Sequence, residues 1–421
     1  MNMRAAGSVF IDRHFHALTH RNYRYMWFGQ CVSLIGTWMQ NIGQSWLVLT
    51  ITGSSLKLGI VAACQFLPIL LFSLFAGIIV DKYPKKQILI VTQTVSMILA
   101  FALAALVLTD TVRYEYILVL ALLLGLNNTL DMPTRQSFNV EIVGKDDLMN
   151  AVALNSTTFN MARIIGPSIG AVMMAWLGAG WCFLLNGFSF VAVLYGLAHI
   201  ETAPYVRKAR SKEGIFKEIK DGIVYIAKDP LLSPTVLLVA VIGTLAFNFN
   251  ILIPVFTKNV LHMSETTYGS LMSCLGVGSL AGALTMSFRS KKGPKLKVSM
   301  IASCMVGVCL ILNGLTSSVW ICGVLLACTG FFNIMLATNS NSALQMNAKD
   351  EFRARVMSVY ALVFAGSTPI GSLFSGFIAD HFGANGAFIV CGMLTGALCL
   401  LITWKYKSSL SPKLVGSQGN D

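Results

Sequence analysis

The sequence predicts an all-α integral membrane protein, with twelve transmembrane helices in two pseudo-symmetric six-helix halves. Three observations carry that prediction. Of the 421 residues, 55% are hydrophobic and only 12% are charged, against about 25% charged in a soluble domain. Apolar stretches of bilayer-spanning length, roughly 20 residues each, recur twelve times. The basic residues then fall almost wholly on one side of the topology that those stretches impose.

The spans lie near 24–50, 54–80, 86–108, 116–138, 150–176 and 179–199, then 231–257, 266–288, 296–316, 318–346, 354–379 and 385–405. Helices are expected because a backbone in lipid must bond internally, and because the stretches lack the alternation of barrel strands. With the N-terminus inside, the inner segments are the arm 1–23, the loops 81–86, 135–149, 289–297 and 347–355, the linker 200–230 and the tail 406–421. The chain has 31 Lys+Arg and a net charge of +13. Lys57, Arg113 and Lys258 fall in outer loops and Arg163 falls within a span. All the others sit on or beside the inner segments, an asymmetry that orients both termini toward the cytoplasm. It also turns the basic balance into an orientation signal and argues against nucleic acid as a partner. No secretory signal is expected, because residues 1–24 are polar and carry four arginines.

The linker at 200–230 divides the chain into halves at 24–199 and 231–405. Within it Ile215, Ile219, Ile223 and Ile226 recur at helical spacing, which predicts a short amphipathic helix on the inner membrane surface or an ordinary solvated linker helix. The halves echo each other weakly. Gly125-Leu-Asn-Asn in span four parallels Gly330-Phe-Phe-Asn in span ten, and both spans five and eleven hold a Pro and Gly cluster. The ten cysteines lie in apolar stretches without a CxxC or Cys/His pattern, so they read as small buried hydrophobes. No metal or cofactor site, phosphate-binding loop or catalytic signature appears, which sets aside an enzyme and direct ATP drive.

After span two the chain reads Gly77, three residues, Asp81, Lys82, two residues, then Lys85 and Lys86. This spacing resembles the loop signature of the major facilitator superfamily. The resemblance implies that Asp81 braces the two halves against the start of span eleven, with Arg135 part of the same inner gate. Gly166-Pro167-Ser168-Ile169-Gly170 partly resembles the helix-bending element of antiporters in that superfamily, with Ala171 and Ala162 at positions that usually differ. Asn22 to Arg24, Ser33 to Gln40, Pro133 to Gln136, Arg355 to Ser358 and Gly366 to Gly371 resemble the branch of bacterial siderophore exporters and drug-efflux proteins. The second half has no clear copy of the Asp81 signature.

Polar residues within spans are costly and face a cavity or one another. Gln30, Ser33, Thr37, Asn41 and Gln44 form one stripe on span one, and Ser156, Asn160, Arg163 and Pro167 another on span five. Asn127, Asn248, Asn333, Asn341 and Gln345 add amides in spans four, seven and ten, with little comparable expected in spans three, nine and twelve. In the superfamily, spans one, four, seven and ten line the central cavity. These amides therefore either contact cargo or join helices. Arg163 sits deep in span five and needs a partner, either an anionic cargo group or Asp131. Asp131 is the one acid clearly within a span, a candidate for proton coupling or a brace for Arg135 one turn on. The expected activity is export of a small organic molecule, siderophore or drug-like, by alternating access and proton antiport, in a monomer of the inner membrane. An importer of the same fold, or a non-transporting sensor or scaffold, are the competing readings.

Overall fold

A computed structural model of the chain describes residues 16–144, 146–202, 215–289 and 293–406. Most of the expected arm, much of the linker and nearly all of the tail lie outside the described residues, as does the side chain of Asp81. Spans one to six are the helices Arg21–Thr52, Ser55–Lys82, Lys85–Leu108, Tyr114–Val143, Leu148–Leu177 and Ala179–His199. Span seven is broken, with Leu232–Leu245 and Phe249–Asn259 on either side of residues 246–248. Spans eight to ten are Glu265–Arg289, Leu296–Leu315 and Val319–Asn347.

One helix of 56 residues, Asp350–Lys405, carries the last two spans. Straight, it would be about 84 Å long, against a hydrocarbon core of about 30 Å. It turns at Gly383, whose φ of 71° lies where side chains are resisted. Ser375 Oγ and Cys391 Sγ, sixteen residues apart, then meet at 3.7 Å. Span eleven (350–382) and span twelve (384–405) are thus antiparallel neighbours. Among the described residues nine helices are long and apolar enough to cross a membrane. The turn at Gly383 makes two spans of one of these. The helices Arg21–Thr52 and Leu148–Leu177, diluted by their polar stripes, are long but fall outside the nine.

Lipid supplies no hydrophobic drive between helices, so small residues bring backbones together. A Cβ on Gly125 would lie 2.5 Å from the Gln65 carbonyl oxygen of span two, and one on Gly330 would lie 2.1 Å from that of Leu275 in span eight. The paired glycines of spans four and ten therefore make the same joint in each half. Polar joins repeat too. Asn127 of span four donates to Ser96 of span three (2.8 Å), and Asn339 of span ten donates to Ser299 of span nine (2.7 Å).

The described joints between halves gather at the end away from the basic loops, which we call the far end. Asp380 Oδ1 of span eleven accepts from Ser54 Oγ and Ser55 N, both at 2.9 Å, at the start of span two. A Cβ on Gly59 would lie 2.5 Å from the Ser372 carbonyl oxygen. Trp46 stacks on Tyr268 at 5.8 Å. Deeper, Ser168 and Ser273 share a hydrogen bond of 2.8 Å. Toward the basic end, Gly77 has open space around it. The linker helix, Ile215–Lys228, does not simply lie on the membrane. Ile226 and Ile219 pack on Val236, Leu344 and Val356, Tyr225 stacks on Phe352, and Asp221 pairs with Arg355 at 3.5 Å.

Candidate functional site

Span one meets span five through Ile35, Trp38, Met39 and Ile42, a face other than its polar stripe. Gly166 and Gly170 let the two helices close: a Cβ on Gly166 would meet Trp38 Cβ at 2.4 Å, and one on Gly170 would meet Ile42. On the other side of span five, the Pro167 carbonyl oxygen would sit 2.7 Å from a Cβ on Gly269 of span eight. The Gly-Pro element is therefore a joint between the two halves.

One turn inward lies Arg163. Its guanidinium stands over the Trp38 ring, 5.8 Å from the centroid, and Trp38 meets Phe159 edge to face at 5.8 Å. Arg163 Nη1 is buried without a hydrogen-bond partner. A cation–π contact is worth about 0.5–2 kcal/mol, less than the roughly 2.5–3.5 kcal/mol that inserting an arginine costs. The site thus holds a positive group whose bonding capacity is unspent. Amides elsewhere in the spans are unspent as well: Gln30 Oε1, Asn160 Oδ1 and Asn248 Oδ1 are buried without partners. Asn333 is 2% exposed, with both its amide oxygen and its amide nitrogen unbonded. Thr37, Asn41 and Gln44 lie along the same face of span one. Thr37 bonds the Ser33 carbonyl (2.9 Å), Asn41 is half-buried and Gln44 is buried.

Asp131 is not paired with Arg163. Its Oδ1 accepts from Thr92 Oγ1 and Gln93 Nε2, both at 2.7 Å, and its Oδ2 accepts from Arg135 Nη2 at 2.8 Å and Nε at 3.2 Å. Asn127 likewise turns to span three, bonding the Thr92 carbonyl and Ser96. Span three is richer in polar groups than expected, because Thr92, Gln93 and Ser96 answer the polar face of span four. Asn341 accepts from Gln345 within its own helix, near the basic end. Of the loop signature, Lys85 pairs with Glu141 at 2.6 Å, and Lys86 donates to the Ile200 carbonyl at 2.7 Å. Lys82 lies over the Tyr83 ring. Lys85 and Lys86 thus bind elements of the first half together.

Three groups went unnoticed in the sequence. Trp38 and Phe159 are aromatic residues beside a charge, visible only once spans one and five are paired. Asp380 looks like an ordinary loop-end acid. Asp147 precedes span five as a cap residue, yet it makes no cap bond and instead accepts from His20 Nε2 (2.6 Å) and His16 Nδ1 (2.7 Å). The bond from His20 holds its carboxyl below the usual aspartate range.

Residues 13–412 match the model of the transmembrane secretion effector family. The chain belongs to that family, within the major facilitator superfamily. It is a multi-pass membrane transporter and not an enzyme. It is 28% identical over 385 residues to a staphyloferrin A transporter of Staphylococcus aureus, covering 91% of this chain and 95% of that one. It is 26% identical to the multidrug efflux pump Tap of Mycolicibacterium fortuitum, covering 83% of this chain and 87% of the pump. A macrolide efflux protein of Streptococcus pyogenes is 21% identical, covering 90% and 93%. Among solved structures, a bacterial homologue of the lysosomal transporter Spinster, inward-facing and unoccupied, superposes with a TM-score of 0.72 at 10% identity. That match covers 93% of this chain and 99% of the other. The likeness carries the fold, which is that of the major facilitator transporters.

Proposed function

We propose that this transporter exports a small organic anion across the inner membrane by alternating access in exchange for protons, with both termini in the cytoplasm. The single observation that carries the reading is Arg163, a guanidinium in mid-span, beside the joint between halves, with a buried nitrogen left unbonded. An unpaired charge in lipid marks a ligand path, and guanidinium is suited to two-point binding of carboxylate. Trp38 and Phe159 offer flat apolar surface beside it. Relatives named as efflux pumps and as a transporter of staphyloferrin A support outward movement and a siderophore or drug-like cargo. The basic loops, under the positive-inside rule, put the basic end in the cytoplasm. Halves joined at the far end then leave the cargo site facing inward, ready to load.

Proton coupling needs a carboxylate that can exchange its partners. Asp131 is the buried acid among the described residues of the spans, and taking up a proton there would free Arg135. Its four hydrogen bonds equally suit a permanent brace. The deciding experiment is flux in proteoliposomes. Arg163→Ala should weaken transport of an anionic cargo at least tenfold while leaving a neutral analogue within about twofold. Equal loss for both would make Arg163 structural. Asp131→Asn should abolish drive by a pH gradient, and full retained coupling would remove Asp131 from the proton path.

A further inference from the structure

A groove of about 800 Å³ runs down the outer flank of the first half, between spans one and six. It is not part of the cargo path. On span one, Phe28 and Val32 lie on the side opposite the polar stripe of Gln30, Ser33 and Thr37, as 100° per residue requires. Its floor is made by close backbone approach: Gly29 sits against the Ala192 carbonyl, and Gly196 sits 2.5 Å, Cβ to oxygen, from that of Tyr25. Its walls are large and apolar. Phe28 is 59% exposed, and Phe188 and Val191 face it from span six.

The mouth of the groove differs from its depth. Arg21 and Arg24 sit there, in the first turn of span one at the basic end. Arg21 stands over the Tyr25 ring at 5.7 Å, and Tyr195 flanks the opening from span six. The rim is held in place. Asn22 Nδ2 donates to the Glu201 carbonyl (2.7 Å), and Lys86 donates to that of Ile200. From Arg21 to Val32 the groove descends about 16 Å along the helix, the depth of one leaflet's hydrocarbon.

We propose that this groove binds an anionic glycerophospholipid, with its phosphate between Arg21 and Arg24 and one acyl chain laid against Phe28, Val32 and Phe188. Two arginines at headgroup level above a leaflet-deep apolar slot match the two parts of such a lipid. Tyr25 and Tyr195 sit at the boundary between them, where amphipathic rings are placed in membranes.

Native mass spectrometry of the full chain, released from bilayers of equal phosphatidylglycerol and phosphatidylcholine, tests the proposal. The intact protein should retain phosphatidylglycerol about tenfold over phosphatidylcholine. An Arg21→Gln/Arg24→Gln double variant should lose that preference. Val32→Trp, which fills the slot while leaving the arginines, should lower retention of both lipids. Gel filtration confirms that each variant remains folded. Equal retention of the two lipids by the unmodified protein, or an unchanged preference in the double variant, would overturn the proposal. So would displacement by millimolar inorganic phosphate, which would mean a phosphate site without a chain. A dimer lost in Val32→Trp would mean that a second copy covers the groove.

Discussion

At the scale of single residues, the difference between Asp131 and Arg163 is one of partners. Asp131 is answered by Thr92, Gln93 and Arg135, while Arg163 has an aromatic face and a buried free nitrogen. Removing one member of a buried pair strands the other, at about 3 kcal/mol. Asp131→Asn should therefore lower the melting temperature in detergent measurably, with Arg163→Ala changing it little or raising it. A thermal-shift assay separates the two. It also guards the flux experiment, since an Asp131→Asn protein that melts normally yet loses gradient drive has lost coupling and not structure. Asp147 gives a pH prediction. Its carboxyl is held below the ordinary aspartate range by His20, so its contribution is present above the unfolded value and is lost as pH falls through the lowered one. Hydrogen exchange of residues 16–20 should stay slow from neutral to mildly acid pH, while Asp147→Ala should speed it throughout that range. The sequence placed Asp131 one turn from Arg135 and showed Arg163 as an isolated charge. It could not show which of them met a partner, because that depends on how span four turns toward span three.

At the scale of helices, the glycines decided contact, and one acid, Asp380, met the start of span two from the other half. The Gly125 and Gly330 correspondence was readable as a weak repeat, and in the fold it is one joint made twice. The break in span seven and the single helix through Gly383 were not readable, because apolar content is indifferent to a bend. The Asp380 contact was hidden for another reason: it caps span two from 325 positions away in the chain. A carboxylate at a helix start satisfies free N–H groups and favours the positive end of the helix. This cap joins the halves only while the far end is closed. Asp380→Asn should weaken it by about 1 kcal/mol, shifting the population about fivefold toward opening there. Spin–spin distances between labels at the far ends of spans two and eleven report that shift. An unchanged distance distribution would mean that the cap adds nothing to closure.

At the scale of the whole molecule, the basic balance and the pattern of joints describe the same axis from two ends. Charge crowds one end, and the halves close at the other. The first was legible in the sequence, since every Lys and Arg could be placed once the spans were drawn. The second was not, because those joints pair residues such as Ser54 and Asp380 that lie 326 positions apart in the chain. Alternating access requires the far-end joints of Ser54 with Asp380 and Thr50 with Lys258 to part in each cycle. Holding them shut should arrest transport with cargo still able to enter from the basic end. A Ser54→Cys/Asp380→Cys protein treated with a short bismaleimide should therefore bind cargo but give less than a tenth of the untreated flux. The unmodified protein treated alike controls for its ten native cysteines, which are buried or half-buried. Transport that survives the bridge would mean that the halves do not separate at this end, and the rocking mechanism would have to be replaced by movement within one half.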